Sequence, residues 1–184
     1  MHGVSVLVAQ RVCMVKKALQ LFADAHICVV GIGGVGSWAA EALARTGIGA
    51  ITLIDMDDVC VTNTNRQIHA LRDNVGLAKA EVMAERIRQI NPECRVTVVD
   101  DFVTPDNVAQ YMSVGYSYVI DAIDSVRPKA ALIAYCRRNK IPLVTTVARV
   151  GRLTRRRFRL PIWRKRFRIR WRRSCASALK SDLA

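Results

Sequence analysis

The clearest chemical signal in this sequence is the glycine-rich turn Gly31–Gly36, which joins an apolar run at His26–Val30 to a helical pattern at Ser37–Arg45. Glycines let backbone N–H groups approach a phosphate closely, because no Cβ atoms stand in the way, and a helix N-terminus adds partial positive charge. Asp55 ends the next apolar run, about 20 residues further along, where a carboxylate can accept hydrogen bonds from ribose hydroxyls. This combination predicts a nucleotide site, although glycine spacing alone does not identify the nucleotide.

Charged side chains that we expect near the glycine-rich turn favour a nucleoside triphosphate as the ligand. Arg66 and Lys79 are cations that can neutralise phosphate charge, and Asp124 is a carboxylate suited to Mg²⁺. A nicotinamide cofactor does not need this set on one phosphate chain, so ATP with Mg²⁺ is favoured over NAD. The predicted catalytic residues are Arg66, Lys79 and Asp124, with Asp124 as the metal ligand. The predicted nucleotide-binding residues are Gly31, Gly33, Gly34, Gly36, Asp55, Asp57, Asn63, Asn65, Arg66, Gln67, Lys79, Asp121, Asp124 and Ser125.

Structural roles remain open for several of these side chains. Lys79 could lie on a solvated helix face, Arg66 could be a surface loop charge, and Asp121 could cap a strand end. Cys60 and Cys136 are interpreted as buried thiols rather than acceptors of sulfur or acyl groups, and His69 as a structural residue.

Helical and strand patterns alternate between positions 17 and 146, which predicts crossover connections and a mostly parallel sheet in a Rossmann-like α/β fold. The predicted strands are His26–Val30, Ala50–Ile54, Arg95–Val99, Ser117–Ile120 and Ile141–Thr145. The predicted helices are Lys17–Asp24, Gly34–Thr46, Val75–Ile90, Thr104–Met112 and Arg127–Asn139. Ligands of such sheets lie beyond the carboxyl ends of the strands, where the glycine turn and the strand-end aspartates fall.

The composition fits one ordinary domain. No apolar run approaches the roughly 18 residues of a membrane span, and the apolar opening Val4–Val15 contains Gln10 and Arg11, so it is not interpreted as a signal peptide. The six cysteines form no C-x-x-C pair. This pattern favours reduced thiols in a cytoplasmic protein over a zinc site or a disulfide framework.

The net charge of +14 is concentrated at one end of the chain. Residues 147–184 contain 14 of the 29 Lys and Arg residues and one of the 15 acids, which gives +13, whereas residues 1–146 carry +1. Twelve arginines lie between Arg149 and Arg173, with tryptophans and phenylalanines among them. Such a tail is typical of a nucleic-acid arm or of a solvated basic segment.

A third interpretation is that both ends are translated out of frame. Back-translating Val150–Leu160 with permitted codons and shifting the frame gives Gly-Gln-Ile-Asp-Pro-Thr-Gln-Ile-Gln-Val, and residues 1–16 regroup in the same way. We therefore expect residues 1–16 to be an aberrant segment, residues 17–146 to be the folded nucleotide-binding domain, and residues 147–184 to be a disordered basic tail.

The motifs between positions 17 and 146 resemble the E1-like (ThiF/MoeB-type) adenylating superfamily. The matching signatures are Gly31–Gly36, Asp55, Asn65–Gln67, Lys79 and Asp121–Ser125. Three stretches are similar to one branch in particular, the tRNA threonylcarbamoyladenosine dehydratases. They read VVGIGGVGSWAAEALARTGIG, DMDDVCVTNTNRQIHAL and YVIDAIDSVRPKAALI.

This resemblance implies a reaction, its ligands and its partners. Members of the branch use ATP to activate the threonylcarbamoyl carboxylate on adenosine 37 of certain tRNAs, which then cyclises with loss of water. The resemblance implies that Arg66 and Lys79 counter phosphate charge, Asp124 holds Mg²⁺ and Asp55 binds the ribose. It also implies a tRNA substrate, a homodimer and a link to a sulfur-carrier or cysteine desulfurase system. The cysteine pairs that bind zinc in some relatives are missing, so no zinc is expected.

The chain departs from the family pattern at both ends. Relatives carry an N-terminal arginine that reaches the ATP phosphates of the partner subunit, and they continue past position 146 into the strands that bind the acyl substrate. We therefore expect a truncated domain that binds ATP weakly and does not cyclise the tRNA nucleoside. Two alternatives stay open: a non-catalytic nucleotide- and RNA-binding module, and an NAD-dependent oxidoreductase.

Overall fold

The computed structural model describes residues 16–146, so the expectations for residues 1–15 and for the basic tail after position 146 lie outside the described part of the chain. The helices are α1 (Lys16–Asp24), α2 (Gly36–Thr46), α3 (Lys79–Ile90), α4 (Val108–Met112) and α5 (Val126–Arg138). The strands are β1 (His26–Val30), β2 (Ala50–Ile54), β3 (Arg95–Val99), β4 (Tyr118–Asp121) and β5 (Leu143–Thr145). Two short 3₁₀ helices lie between β2 and α3, at Val61–Asn63 and Arg72–Asn74.

The five strands form one parallel sheet in the order β3-β2-β1-β4-β5. The chain builds outward from β1 through β2 to β3, then crosses back to place β4 on the other side of β1. This reversal is the switch point at which open α/β sheets bind ligands, beyond the carboxyl ends of the two diverging strands. The Rossmann-like fold predicted from the sequence is confirmed.

Alternate strand residues point to opposite faces of the sheet. Helices pack against each face, so both faces are covered. Toward α2 and α3 the buried side chains include Ile27, Val29, Ile51, Leu53, Met83 and Ile87. Toward α4 and α5 they include Cys28, Val30, Val119, Met112, Leu132 and Cys136. The two helices of the first layer are also joined by an ion pair between Glu41 and Arg86. No helix within residues 16–146 is both long and apolar enough to cross a membrane.

Two predicted helix starts are wrong. The helix predicted from Val75 begins at Lys79, because Gly76 has a φ of +86° and Ala78 forms an antiparallel bridge with Asp58. The helix predicted from Thr104 begins at Val108. Residues 105–107 form a turn instead, since Thr104 and Asn107 exchange side-chain-to-backbone hydrogen bonds.

The interpretation of the two cysteines is confirmed for one and wrong for the other. Cys136 is fully buried in the second core layer, whereas Cys60 is exposed. A hydrogen bond from the Thr62 hydroxyl lowers the pKa of the Cys60 thiol. The sequence pattern did not predict the exposure of Cys60, because Cys60 follows the buried Val59 in an irregular loop.

His69 is 1% exposed, and neither of its ring nitrogens makes a hydrogen bond with another described residue. Burial, together with the nearby charges of Lys79 and Arg86, lowers the pKa of His69 from 6.5 to about 4. The folded protein therefore keeps this ring neutral at pH values where the unfolded chain protonates it. Stability contributed by this site is complete above pH 6.5 and is lost as the pH falls toward 4.

We expect the free energy of unfolding to drop by about 3 kcal/mol through this site between pH 6.5 and 4, at about 1.4 kcal/mol per pH unit. His69→Leu should remove this loss, because leucine does not titrate. Urea unfolding of both proteins at several pH values measures the difference and cancels the contribution of His26, whose pKa burial also lowers. Parallel pH profiles for the two proteins would show that His69 is not the titrating group.

Candidate functional site

The principal cavity of the described chain has a volume of about 780 Å³ and lies beyond the carboxyl ends of the strands. This volume is within the range of small-molecule sites. Most of the predicted site residues line it: Gly31, Gly33, Gly34, Asp55, Asp57, Asn63, Arg66, Gln67, Lys79, Asp124 and Ser125. Most of the residues predicted from the sequence therefore lie around a single cavity.

The glycine turn forms the floor of the cavity. Gly31 has a φ of +86°, and a Cβ at this position would lie 2.9 Å from the carbonyl oxygen of Ala122. The backbone N–H groups of Gly33, Gly34 and Val35 make no hydrogen bond with another described residue. Free N–H groups at the start of α2 provide an anion-binding site that fits a phosphate.

Asp55 is held rigidly at the end of β2. One carboxylate oxygen accepts the N–H of Ile32, and the other accepts the N–H of Asp57 at 2.8 Å. The residue is 8% exposed, and its burial raises the pKa of the carboxyl group. Each oxygen keeps further acceptor capacity toward the cavity, which suits the two hydroxyls of a ribose.

Lys79 reaches the cavity because backbone hydrogen bonds pair the two ends of the loop between β2 and α3. Backbone hydrogen bonds join Lys79 to Asp57 and Val59 to Leu77, so α3 begins directly beside the segment that follows β2. The Lys79 ammonium lies 2.6 Å from the Asp57 carboxylate and the residue is 6% exposed. Lys79 is thus a buried cation at the cavity wall, not a residue of the solvated helix face.

Arg66 crosses over the glycine turn. A Cβ on Gly34 would lie 3.3 Å from the side-chain carbons of Arg66. The guanidinium group is bound by the Thr62 carbonyl and the Asn65 side chain, and the Arg66 carbonyl accepts the indole N–H of Trp38 at 2.9 Å. These contacts fix a second cation over the site.

Two further groups have unused capacity toward a ligand. Gln67 is 6% exposed, and its side-chain oxygen is buried without a hydrogen-bond partner in the described chain. Asp124 lines the cavity and makes no hydrogen bond or ion pair within residues 16–146. A carboxylate with free oxygens in the same cavity as two cations fits Mg²⁺, and the orphaned amide oxygen fits a polar ligand group.

Three predicted residues do not line the cavity. Gly36 lies at the start of α2, where an added Cβ would lie 1.8 Å from the Gly31 carbonyl oxygen. The Asn65 side chain accepts a hydrogen bond from Arg66. Asp121 is completely buried and bound by Lys129.

The sequence reasoning missed the lining residues Asp101, Phe102, Val103, Thr104, Pro128 and Thr146. Those at 101–104 follow β3, which ends at the same edge of the sheet, so strand topology was the signal that could have found them. Phe102 is 52% exposed. Together with Val103 it gives this end of the cavity an apolar wall suited to a flat base.

The profile of the ThiF family matches residues 9–154. The chain is 95% identical over 138 residues to the tRNA threonylcarbamoyladenosine dehydratase of Escherichia coli (strain K12), an alignment that covers 75% of this chain and 52% of that protein. It is 36% identical over 125 residues to the molybdopterin-synthase adenylyltransferase of Salmonella typhimurium (strain LT2), covering 68% of this chain and 50% of that one.

The fold is similar to a crystal structure of E. coli tRNA N6-threonylcarbamoyladenosine dehydratase in complex with ATP, with a TM-score of 0.75 and 90% identity. That similarity covers 79% of this chain and 60% of the crystallised one. The chain spans about half the length of the curated relatives it matches.

Proposed function

This chain belongs to the ThiF family, and we propose that it is the ATP-binding part of a tRNA threonylcarbamoyladenosine dehydratase. The observation that carries the proposal is the convergence of Asp55, Arg66, Lys79 and Asp124 on one cavity with the glycine turn. The relative crystallised with ATP, at 90% identity, supports the choice of nucleotide.

In the proposed site each residue has one task. The N–H groups of the glycine turn bind the phosphate chain, and Asp55 accepts hydrogen bonds from the ribose hydroxyls. Arg66 and Lys79 neutralise the charge that develops on the phosphates, and Asp124 holds Mg²⁺. The wall at Phe102 and Val103 covers the adenine.

The chemistry is carboxylate activation. In a whole dehydratase, the threonylcarbamoyl carboxylate of the tRNA attacks the α-phosphorus of ATP, and pyrophosphate leaves. A nucleophilic atom of the same carbamoyl group then attacks the activated carboxyl carbon and loses its proton, so that the ring closes and AMP leaves. For this chain, ATP binding without cyclisation stays the prediction. The reacting carboxylate is already ionised, so the adenylation step needs no general base. Rate acceleration comes from alignment and from charge neutralisation by the two fixed cations. Homodimer formation, cytoplasmic location and a link to a sulfur-carrier or cysteine desulfurase system stay predictions.

Calorimetry on the full chain tests the proposal. We expect saturable binding of ATP in the presence of Mg²⁺ and no binding of NADH at the same concentrations. Asp124→Ala should abolish the dependence of ATP affinity on Mg²⁺ while AMP still binds, because AMP presents only one phosphate. Asp106→Ala, which changes an exposed carboxylate outside the cavity lining, is the control and should bind as the unaltered chain does. NADH binding without ATP binding would instead identify a dinucleotide oxidoreductase site.

A further inference from the structure

We infer that Asp121 and Lys129 form a positioning pair that sets the loop carrying Asp124 in place for Mg²⁺. Neither side chain needs to touch the nucleotide for this role. The inference rests on the proposed function, because it takes Asp124 as the ligand of the metal that accompanies ATP.

Asp121 is a fully buried carboxylate, and both of its oxygens are bound by other groups of this chain. One oxygen, Oδ2, lies 2.7 Å from the Lys129 ammonium and accepts the Thr145 hydroxyl at 2.6 Å. The other oxygen, Oδ1, accepts the N–H of Ile123 at 3.1 Å. This last bond fixes the backbone turn directly after β4, immediately before Asp124.

Lys129 fixes the other end of the same loop. It lies in the first turns of α5, and its own N–H bonds back to the Ser125 carbonyl at 3.3 Å. The ion pair with Asp121 therefore closes the segment 122–128 at both ends. Asp124 lies between these two anchors, and its side chain makes no hydrogen bond or ion pair within residues 16–146, so its position depends on theirs.

A third element is tied to the pair. The Lys129 ammonium also donates to the Thr145 hydroxyl at 3.2 Å and to the Thr146 carbonyl at 2.8 Å, while the Thr146 N–H bonds to the Asp121 carbonyl at 2.9 Å. Thr146 lines the cavity. The network thus joins β4, β5 and α5 around one edge of the site.

Burying an ion pair has a desolvation cost, and this cost indicates that the Asp121–Lys129 pair does more than hold two strands together. The Lys129 side chain is 14% exposed and the Asp121 side chain is fully buried. A buried ion pair is often no more stabilising than apolar residues of the same size. Hydrogen-bonded residues behind a metal ligand, by contrast, commonly change metal affinity by about 10- to 100-fold.

Three variants separate positioning from simple stability. Thr145→Val removes the hydrogen bond from the Thr145 hydroxyl to Asp121 and the one that this hydroxyl accepts from Lys129, while keeping the size and shape of the side chain. Lys129→Met removes the cation, and Lys129→Arg retains it. Arg137→Met, on the exposed side of the same helix, is the matched control for Lys129→Met.

The experiment is calorimetry of the full chain with ATP over a range of Mg²⁺ concentrations, and with AMP in the absence of Mg²⁺. We expect Thr145→Val and Lys129→Met to raise the half-saturating Mg²⁺ concentration by about 10-fold, with AMP affinity unchanged within about twofold. Lys129→Arg should recover much of the loss, and Arg137→Met should behave as the unaltered chain. Hydrogen exchange at residues 122–125 should accelerate in Thr145→Val, a readout that does not require nucleotide.

The outcomes are distinguishable. Equal losses of ATP·Mg²⁺ and AMP affinity, or unchanged exchange at residues 122–125 in Thr145→Val, would overturn the positioning role while leaving the proposed function intact. If the unaltered chain binds ATP without any Mg²⁺ dependence, the metal role of Asp124 fails and the inference fails with it. If Lys129→Met does not fold, Thr145→Val and Lys129→Arg decide the question.

Discussion

Lys79→Ala is expected to weaken ATP binding by about 10- to 100-fold while leaving AMP affinity within a few-fold of the unaltered chain. A charge-assisted hydrogen bond to phosphate contributes about 1.5–3 kcal/mol, and this ammonium is held at the cavity wall by Asp57. AMP lacks the β- and γ-phosphates on which we propose that this charge acts. Calorimetry with ATP and AMP on both proteins measures the split.

The fold should survive this change. The partner carboxylate of Asp57 is 54% exposed, so it becomes hydrated when the ammonium is removed and is not left as an unpaired buried charge. Arg88→Ala is the control, because it removes a cation from the exposed side of the same helix. An equal loss of ATP and AMP affinity in Lys79→Ala would mean that Lys79 supports the nucleoside or the fold and does not bind phosphate.

The sheet could be predicted from the sequence because its strands are short apolar runs bounded by polar residues. The predicted bounds of β1, β2 and β3 match the structure residue for residue. The buried parallel strands β1 and β2 give this signal, since both of their faces are covered. The edge strand β3 is predicted instead from the alternation of apolar and polar residues along Arg95–Val99. The strand-end positions of Asp55 and Asp121 followed directly from it.

What the sequence did not predict depends on contacts between distant segments. The start of α3 at Lys79 is set by pairing of residues 57–59 with 76–79, which local helical spacing does not report. The burial of Asp121 arises because Lys129 and Thr145 come from two other elements. Exposure of Cys60 likewise follows from the path of an irregular loop. The sequence alone does not distinguish an aspartate that faces the cavity, such as Asp124, from one that is buried in an ion pair, such as Asp121.

Gly36→Ala and Gly33→Ala are expected to have opposite consequences, although both change the same turn. A Cβ at position 36 would lie 1.8 Å from the carbonyl oxygen of Gly31, which is backbone and cannot move aside cheaply. We expect a loss of about 3 kcal/mol or more in the free energy of unfolding. At Gly33 the nearest atom is the side-chain nitrogen of Gln67 at 4.0 Å, so stability should change by about 1 kcal/mol or less.

The same two variants should reverse their order in ATP binding among molecules that remain folded. In the proposed site the phosphate chain approaches the free N–H groups at Gly33, so an alanine methyl there should lower ATP affinity by about 10-fold with the fold intact. Urea unfolding followed by circular dichroism gives the stabilities, and calorimetry below the unfolding midpoint gives the affinities. If Gly33→Ala binds ATP as tightly as the unaltered chain, the phosphates do not lie against this turn. If Gly36→Ala is as stable as Gly33→Ala, the close packing of the turn onto α2 does not constrain the fold.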